Sequence, residues 1–186
     1  MSNSIENYIK VYENIISDDL CDKIISEYEN SDKWGISEIS NGINTNIRNC
    51  NILGMSSEST INQNKNIRKK IDDEVYSVIS KIINRLNESY THLSLSKDSG
   101  YDLLKYKKGQ FYTEHVDSSV RNPRTISCSL CLNDDYEGGE FSFFDRKIKY
   151  KLKKGSAIVF PSNFMYPHQI LPVIKGTRYS IITWFN

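Results

Sequence analysis

From Tyr101 to Phe185 the chain breaks into short β-type runs separated by turn residues, and that texture narrows the possible folds more than any other feature. The runs are Tyr101–Tyr106, Phe111–His115, Thr125–Asn133, Glu140–Asp145, Lys147–Leu152, Ala157–Pro161, Tyr166–Leu171 and Arg178–Phe185. Turn signals stand between them at Lys107-Lys108-Gly109, Glu137-Gly138-Gly139, Lys153-Lys154-Gly155 and Lys175-Gly176. Eight short strands at this spacing predict an antiparallel sandwich or jelly roll.

The first half carries the helices. A strand over Tyr8–Ile16 leads into Ser17-Asp18-Asp19, whose oxygens can accept the free amides that open a helix running to about Asn30. Leu20, Ile24, Ile25 and Tyr28 give that helix one apolar face. The clearest helix spans Asn64–Glu88, where Ile67, Ile71, Val75, Val78, Ile79, Ile82, Ile83 and Leu86 recur every three or four residues. Short strands are expected at Gly35–Ile39 and Ile47–Leu53, around a polar loop at Asn41–Asn46. No repeat, linker or composition break divides the chain. The expectation is one domain over residues 1–186, with residues 1–99 supporting a jelly-roll core at 100–186, mainly β with helices packed outside the major sheet.

Composition excludes several roles. Twenty-four basic against 23 acidic residues leave a net charge of +1, without the basic face that meets nucleic acid phosphates. No apolar run approaches the roughly 20 residues that span a bilayer, and the polar start lacks a secretory pattern, so no membrane partner and a cytoplasmic location are expected. The four cysteines then read as structural thiols. Cys128 and Cys131 form a C-x-x-C, but strand alternation sends residues three apart to opposite faces.

Chemistry concentrates around two of the three histidines. His115 and Asp117 are two residues apart in an extended segment and project to the same side, so both can reach one ion. His168 offers a third ligand from another strand. Two imidazoles and one carboxylate on one face of an octahedron suit non-haem Fe(II) and leave positions open for substrates. Arg178 opens the last strand, whose alternation puts Arg178, Ser180, Ile182 and Trp184 on one face. Pro172 and Lys175-Gly176 allow a reversal that would make His168 and Arg178 neighbours across an antiparallel pair. An inward guanidinium calls for an anionic partner, and its planar fork suits a carboxylate. His92 has no such company and reads as a surface or helix-end residue.

The ordered set Tyr106-x-x-Gly109-x-x-Tyr112-x-x-His115-x-Asp117, Arg124 through Cys131-Leu132-Asn133, Gly138-Gly139-Glu140, and His168 with Arg178 ten residues on resembles the prolyl 4-hydroxylase-like 2-oxoglutarate/Fe(II)-dependent dioxygenases. That resemblance covers about Tyr101–Phe185, and the strand and capped helix near the start are similar too. It implies a double-stranded β-helix (a cupin-like jelly roll) with iron held by His115, Asp117 and His168. Arg178 and Tyr106 would bind the distal carboxylate of 2-oxoglutarate, and Tyr112, Arg124 and Trp184 would face the substrate. Fe(II), 2-oxoglutarate and O2, with ascorbate as reductant, are the implied cofactors. The implied reaction hydroxylates an unactivated C–H bond, releasing succinate and CO2. The implied substrate is a prolyl residue in a peptide or protein, with a free amino acid or other small molecule as the alternative.

Three positions depart from the family pattern: Arg178 stands where Lys is usual, Phe141 where Thr follows Gly-Gly-Glu, and Cys131 where Tyr precedes Leu-Asn. The presence of Asp117 favours hydroxylation over halogenation, because halogenating relatives lack this carboxylate. Arg48-Asn49-Cys50 is left without a role. Two competing classes are a jelly-roll binding module without chemistry and a cupin-like metal enzyme that uses no 2-oxoglutarate. The loops at 41–46 and 118–123 flank the site in sequence and are candidate lids.

Overall fold

Alternation in the last strand, Thr177–Phe185, shows how the layers arise. Tyr179, Ile181 and Phe185 join an apolar cluster shared with the helices, whereas Ile182 and Trp184 belong to a second cluster. The strand Ile126–Cys131 divides likewise: Ile126, Cys128 and Leu130 join the first cluster and Cys131 the second. Every residue of that strand is buried, so both of its faces are covered.

The computed structural model describes residues 4–186. In chain order the strands are β1 (Lys10–Tyr12), β2 (Gly35–Ile36), β3 (Arg48–Asn49), β4 (Asn51–Gly54), β5 (Asp98–Lys107), β6 (Phe111–His115) and β7 (Ile126–Cys131). They continue as β8 (Glu137–Gly138), β9 (Phe141–Phe143), β10 (Ile148–Tyr150), β11 (Ala157–Pro161), β12 (His168–Ile170), β13 (Val173–Lys175) and β14 (Thr177–Phe185). The larger sheet runs β1-β11-β7-β14-β5-β4-β2 and the smaller β10-β9-β12-β6-β3, with β13 and β8 paired separately. All pairings are antiparallel. The result is a double-stranded β-helix with helices packed on the larger sheet, as the strand pattern predicts.

Helix α1 (Asp18–Tyr28) starts where Ser17 Oγ accepts from Leu20 N at 3.3 Å, with Asp18 and Asp19 in the first turn. A single turn, α2 (Glu58–Ile61), precedes α3 (Lys65–Ser89). Ile71, Val75, Val78, Ile79, Ile82, Ile83 and Leu86 of α3 are buried. Each contributes about 1.5–3 kcal/mol of burial energy that fixes the helix on the sheet. Arg68 is also buried there, and its Nε donates to Glu27 Oε1 of α1 at 2.8 Å. Ile67, expected on the apolar stripe, is exposed.

Other expectations are corrected. Tyr8–Ile16 is not one strand: a 3-10 turn at Ile5–Tyr8 comes first, and β1 holds only Lys10–Tyr12. The run Ile47–Leu53 splits at Cys50 into β3 and β4, which join different sheets. The pair β8 and β13 escapes notice in the sequence because each strand is only two or three residues long. Gly138 and Gly139, which read as a hairpin turn, have positive φ of 75° and 66°. A Cβ at Gly138 would lie 2.3 Å from Pro172 O, so close backbone approach to β13 requires glycine there. No helix among the described residues is long and apolar enough to cross a membrane.

Candidate active site

The ladder between β6 and β12 sets His115 directly opposite His168. Their rings lie 4.3 Å apart between centroids. Each ring is aimed by a carbonyl two residues upstream: His115 Nδ1 lies 2.8 Å from Thr113 O, and His168 Nδ1 lies 3.1 Å from Tyr166 O. A carbonyl only accepts, so both Nδ1 atoms carry a proton, and Nε2 is the atom of each ring left to offer a lone pair to an ion. Asp117, just past the end of β6, receives them: Oδ1 is 3.4 Å from His115 Nε2 and Oδ2 is 3.6 Å from His168 Nε2.

One ligand atom from each of the three residues lies within 4.8 Å of the others. Ser127 of β7 fixes the carboxylate by donating to Asp117 Oδ2 at 2.6 Å, and Ser162 Oγ is 2.8 Å from the Ser127 oxygen. Because the carboxylate accepts the Ser127 proton, Ser162 must donate to Ser127, which sets the direction of the chain. Burial pushes the Asp117 carboxyl upward, but the two imidazoles and the Ser127 hydroxyl more than reverse this and hold it below the usual range. Burial lowers His168 to about 4, against the opposing pull of Asp117. Two imidazoles, one carboxylate and no thiolate form a donor set suited to a divalent ion such as Fe(II).

Across the cavity, β14 and β5 put Arg178 opposite Tyr106 in register. Both are almost wholly buried. Arg178 Nη1 donates to Ser180 Oγ at 2.8 Å, and its guanidinium carbon is 5.4 Å from the ring centroids of both Tyr106 and Phe141. Among the described residues no carboxylate lies within ion-pair distance of it. A buried cation without an acid is costly unless a ligand supplies the charge. Burial raises the Tyr106 phenol well above its ordinary value, so it remains a hydrogen-bond donor.

His115, Asp117, His168, Tyr106, Arg178, Tyr112, Arg124 and Trp184 all line this one cavity. Tyr112 stacks on His115 with centroids 3.5 Å apart, and Arg124 lies 3.2 Å over the Trp184 ring while its Nη1 donates to Asp117 O. One expectation fails: His168 and Arg178 are not paired across a ladder. His168 pairs with His115 and Phe143 in the smaller sheet, and Arg178 lies in the larger one, because β13 carries the chain from one sheet to the other. Sequence reading also missed Arg48, whose guanidinium carbon is 4.9 Å from the Tyr112 centroid, and Ser127 and Ser129. The two serines had a signal: with Cys131 they put small polar side chains on every inward position of a strand otherwise apolar enough to be buried.

The model for the 2OG-Fe(II) oxygenase superfamily matches residues 101–186. Over that span the chain is similar to this superfamily. A PKHD-type hydroxylase of Alteromonas mediterranea is 34% identical over 96 residues, covering 44% of this chain and 41% of that protein. One from Prochlorococcus marinus is 29% identical over 132 residues, covering 68% and 57%. The chain thus spans about two-fifths of the length of the first of these relatives. Among solved structures, a Trichoplax adhaerens prolyl hydroxylase in complex with a hypoxia inducible factor peptide fragment superposes with a TM-score of 0.78 at 17% identity, covering 96% of this chain and 83% of that one. A Pseudomonas putida prolyl-4-hydroxylase gives 0.72 at 20%, covering 96% and 91%. These likenesses bear out the double-stranded β-helix. The superfamily's cofactors are Fe(II) and 2-oxoglutarate, with O2 as oxidant.

Proposed function

We propose that this chain is a 2-oxoglutarate- and Fe(II)-dependent hydroxylase acting on a prolyl residue in a peptide or protein, with residues 1–186 working as one domain. One observation carries the reading: two tautomer-locked imidazoles and a carboxylate converge on a point, across a cavity from a buried arginine that lacks an acid. Neither half makes sense alone. A binding module would need no three-ligand face, and a metal enzyme without an anionic co-substrate would need no buried Arg178.

In this reading His115, Asp117 and His168 would hold the metal. When bound, the iron and 2-oxoglutarate supply the oxidation that hydroxylates an unactivated C–H bond, yielding succinate and CO2, with ascorbate as reductant. The chain's own work is orientation. The carbonyls of Thr113 and Tyr166 keep both imidazoles aimed, so metal uptake requires no change of tautomer. Ser127 holds the Asp117 carboxylate still. Arg178, steadied by Ser180, takes the distal carboxylate of the co-substrate, and the Tyr106 hydroxyl donates to it. Phe141, Phe143 and Phe160 surround the His168 ring and keep water from that side. Tyr112, Arg124 and Trp184 form the side left for the substrate. The prolyl assignment is supported by the fold shared with prolyl hydroxylases, one of them described in complex with a peptide.

The test is anaerobic titration with Fe(II) followed by 2-oxoglutarate, reading the visible charge-transfer band of the chelated co-substrate. The expected result is a band in the wild type that Arg178→Ala weakens severely. Stoichiometric iron without a band would sink the co-substrate assignment.

A further inference from the structure

The charges of the cavity do not balance once the proposed cofactors are counted, and the excess lies on the substrate side. Its lining holds three guanidiniums, Arg48, Arg124 and Arg178, against the single carboxylate of Asp117. A divalent metal, dianionic 2-oxoglutarate, Asp117 and Arg178 together sum to zero. Arg48 and Arg124 then remain. Neither has a carboxylate within ion-pair distance among the described residues. Their recorded hydrogen bonds go to backbone oxygens, from Arg48 Nη1 to Glu38 at 3.1 Å and from Arg124 Nη1 to Asp117 at 3.3 Å. The half-buried Asp102 faces both, but burial raises its carboxyl and it offsets one charge of the two at most.

Two donors on this side are also unsatisfied. Arg48 Nε and Trp184 Nε1 are both buried and without a hydrogen-bond partner. Buried N–H groups left unpaired cost about 1–3 kcal/mol each, so their persistence beside a cavity points to acceptors brought by a ligand. A neutral amide offers one acceptor oxygen and no charge. A carboxylate offers two oxygens and the missing charge, in the geometry a guanidinium fork receives.

Resting on the proposed hydroxylase reading, we infer that the substrate enters with a carboxylate that docks between Arg48 and Arg124, near the target carbon. The carboxylate can belong to a free imino acid or to an acidic side chain beside a prolyl residue in a peptide. Both are one chemistry at this site, and the assay separates them.

Protein loaded with Mn(II) and N-oxalylglycine, an inert 2-oxoglutarate mimic, is titrated by calorimetry with two matched pairs. The first is L-proline against L-prolinamide; the second is a capped Gly-Pro-Asp peptide against capped Gly-Pro-Asn. In at least one pair the acid should bind tenfold or more tighter than its amide. Arg48→Gln should bring that ratio close to one, and Arg124→Gln provides the same reading if the first variant does not fold. Equal binding within both pairs, binding by no member of either, or a ratio that survives both substitutions overturns the inference. The charge-transfer titration above is independent: a normal band without acid preference removes this inference alone, and an absent band removes the hydroxylase reading.

Discussion

Arg178→Met should separate the cost of the site from its use. The substitution removes a buried cation that hydrogen-bonds Ser180 but has no acid nearby, and puts an unbranched apolar chain of similar length against Tyr106 and Phe141. Replacing buried charges by apolar groups of similar volume is neutral to stabilising by about 1–4 kcal/mol. Leaving Ser180 Oγ without its donor returns about 1 kcal/mol of that. A net gain of about 1 kcal/mol corresponds to a rise in Tm of roughly 2–4 °C for a chain of this size. Ligand binding should move the other way. With Mn(II) present, 2-oxoglutarate at about 100 times its dissociation constant adds about 2.7 kcal/mol to the wild type and almost nothing to the variant. Thermal denaturation with and without co-substrate measures both effects. A ligand-free variant that melts several degrees below wild type would refute the reasoning, since it would mean that the guanidinium is already well satisfied by the protein. Equal ligand-induced shifts would remove Arg178 from the co-substrate site.

Ser127→Ala should weaken Mn(II) binding about 10–100-fold by freeing the Asp117 carboxylate, with Ser162→Ala costing less because it acts one bond further away; calorimetric titration checks both. Glu27→Ala should destabilise the protein by about 3 kcal/mol in urea unfolding, because Arg68 would remain buried without its acid, the opposite outcome to Arg178→Met. Burial pushes the Cys21 thiol up to about 12 and raises Cys128 as well, so neither should react with iodoacetamide at pH 8 until the chain is unfolded. Cleavage in the loops at 41–46 and 118–123 should slow when Mn(II) and N-oxalylglycine are added; identical proteolysis in both states would count against lids there.

Much of the architecture is legible because alternation and helical periodicity report which faces are buried. Phe111–His115 and Ala157–Pro161 match the expected strands to the residue, and α3 is displaced by one residue from its predicted span. Spacing also brings His115 and Asp117 together, since their separation is local. What depends on long-range topology is not readable this way. The placement of His168 opposite His115, not beside Arg178, follows from which sheet β12 joins, and nothing local to Tyr166–Leu171 specifies that. Arg48 went unassigned for a related reason. Its role comes from a break at Cys50 that sends β3 to the smaller sheet and β4 to the larger, while the sequence reads as one continuous run.

The two histidines of the proposed metal site and the buried arginine stand on different sheets, and that division has a mechanical side. Within the described residues, Ser127 reaching from the larger sheet to Asp117 is a polar rivet between the two walls at the centre. A molecule gripping Arg178 at one end and the ion at the other would act as a second rivet. Occupancy then becomes a matter of stiffness as well as chemistry, with the walls free to breathe when the cavity is empty and clamped together when it is full. Amide hydrogen exchange would register this as slowing in β6 and β12 that rises and falls with slowing in β5 and β14.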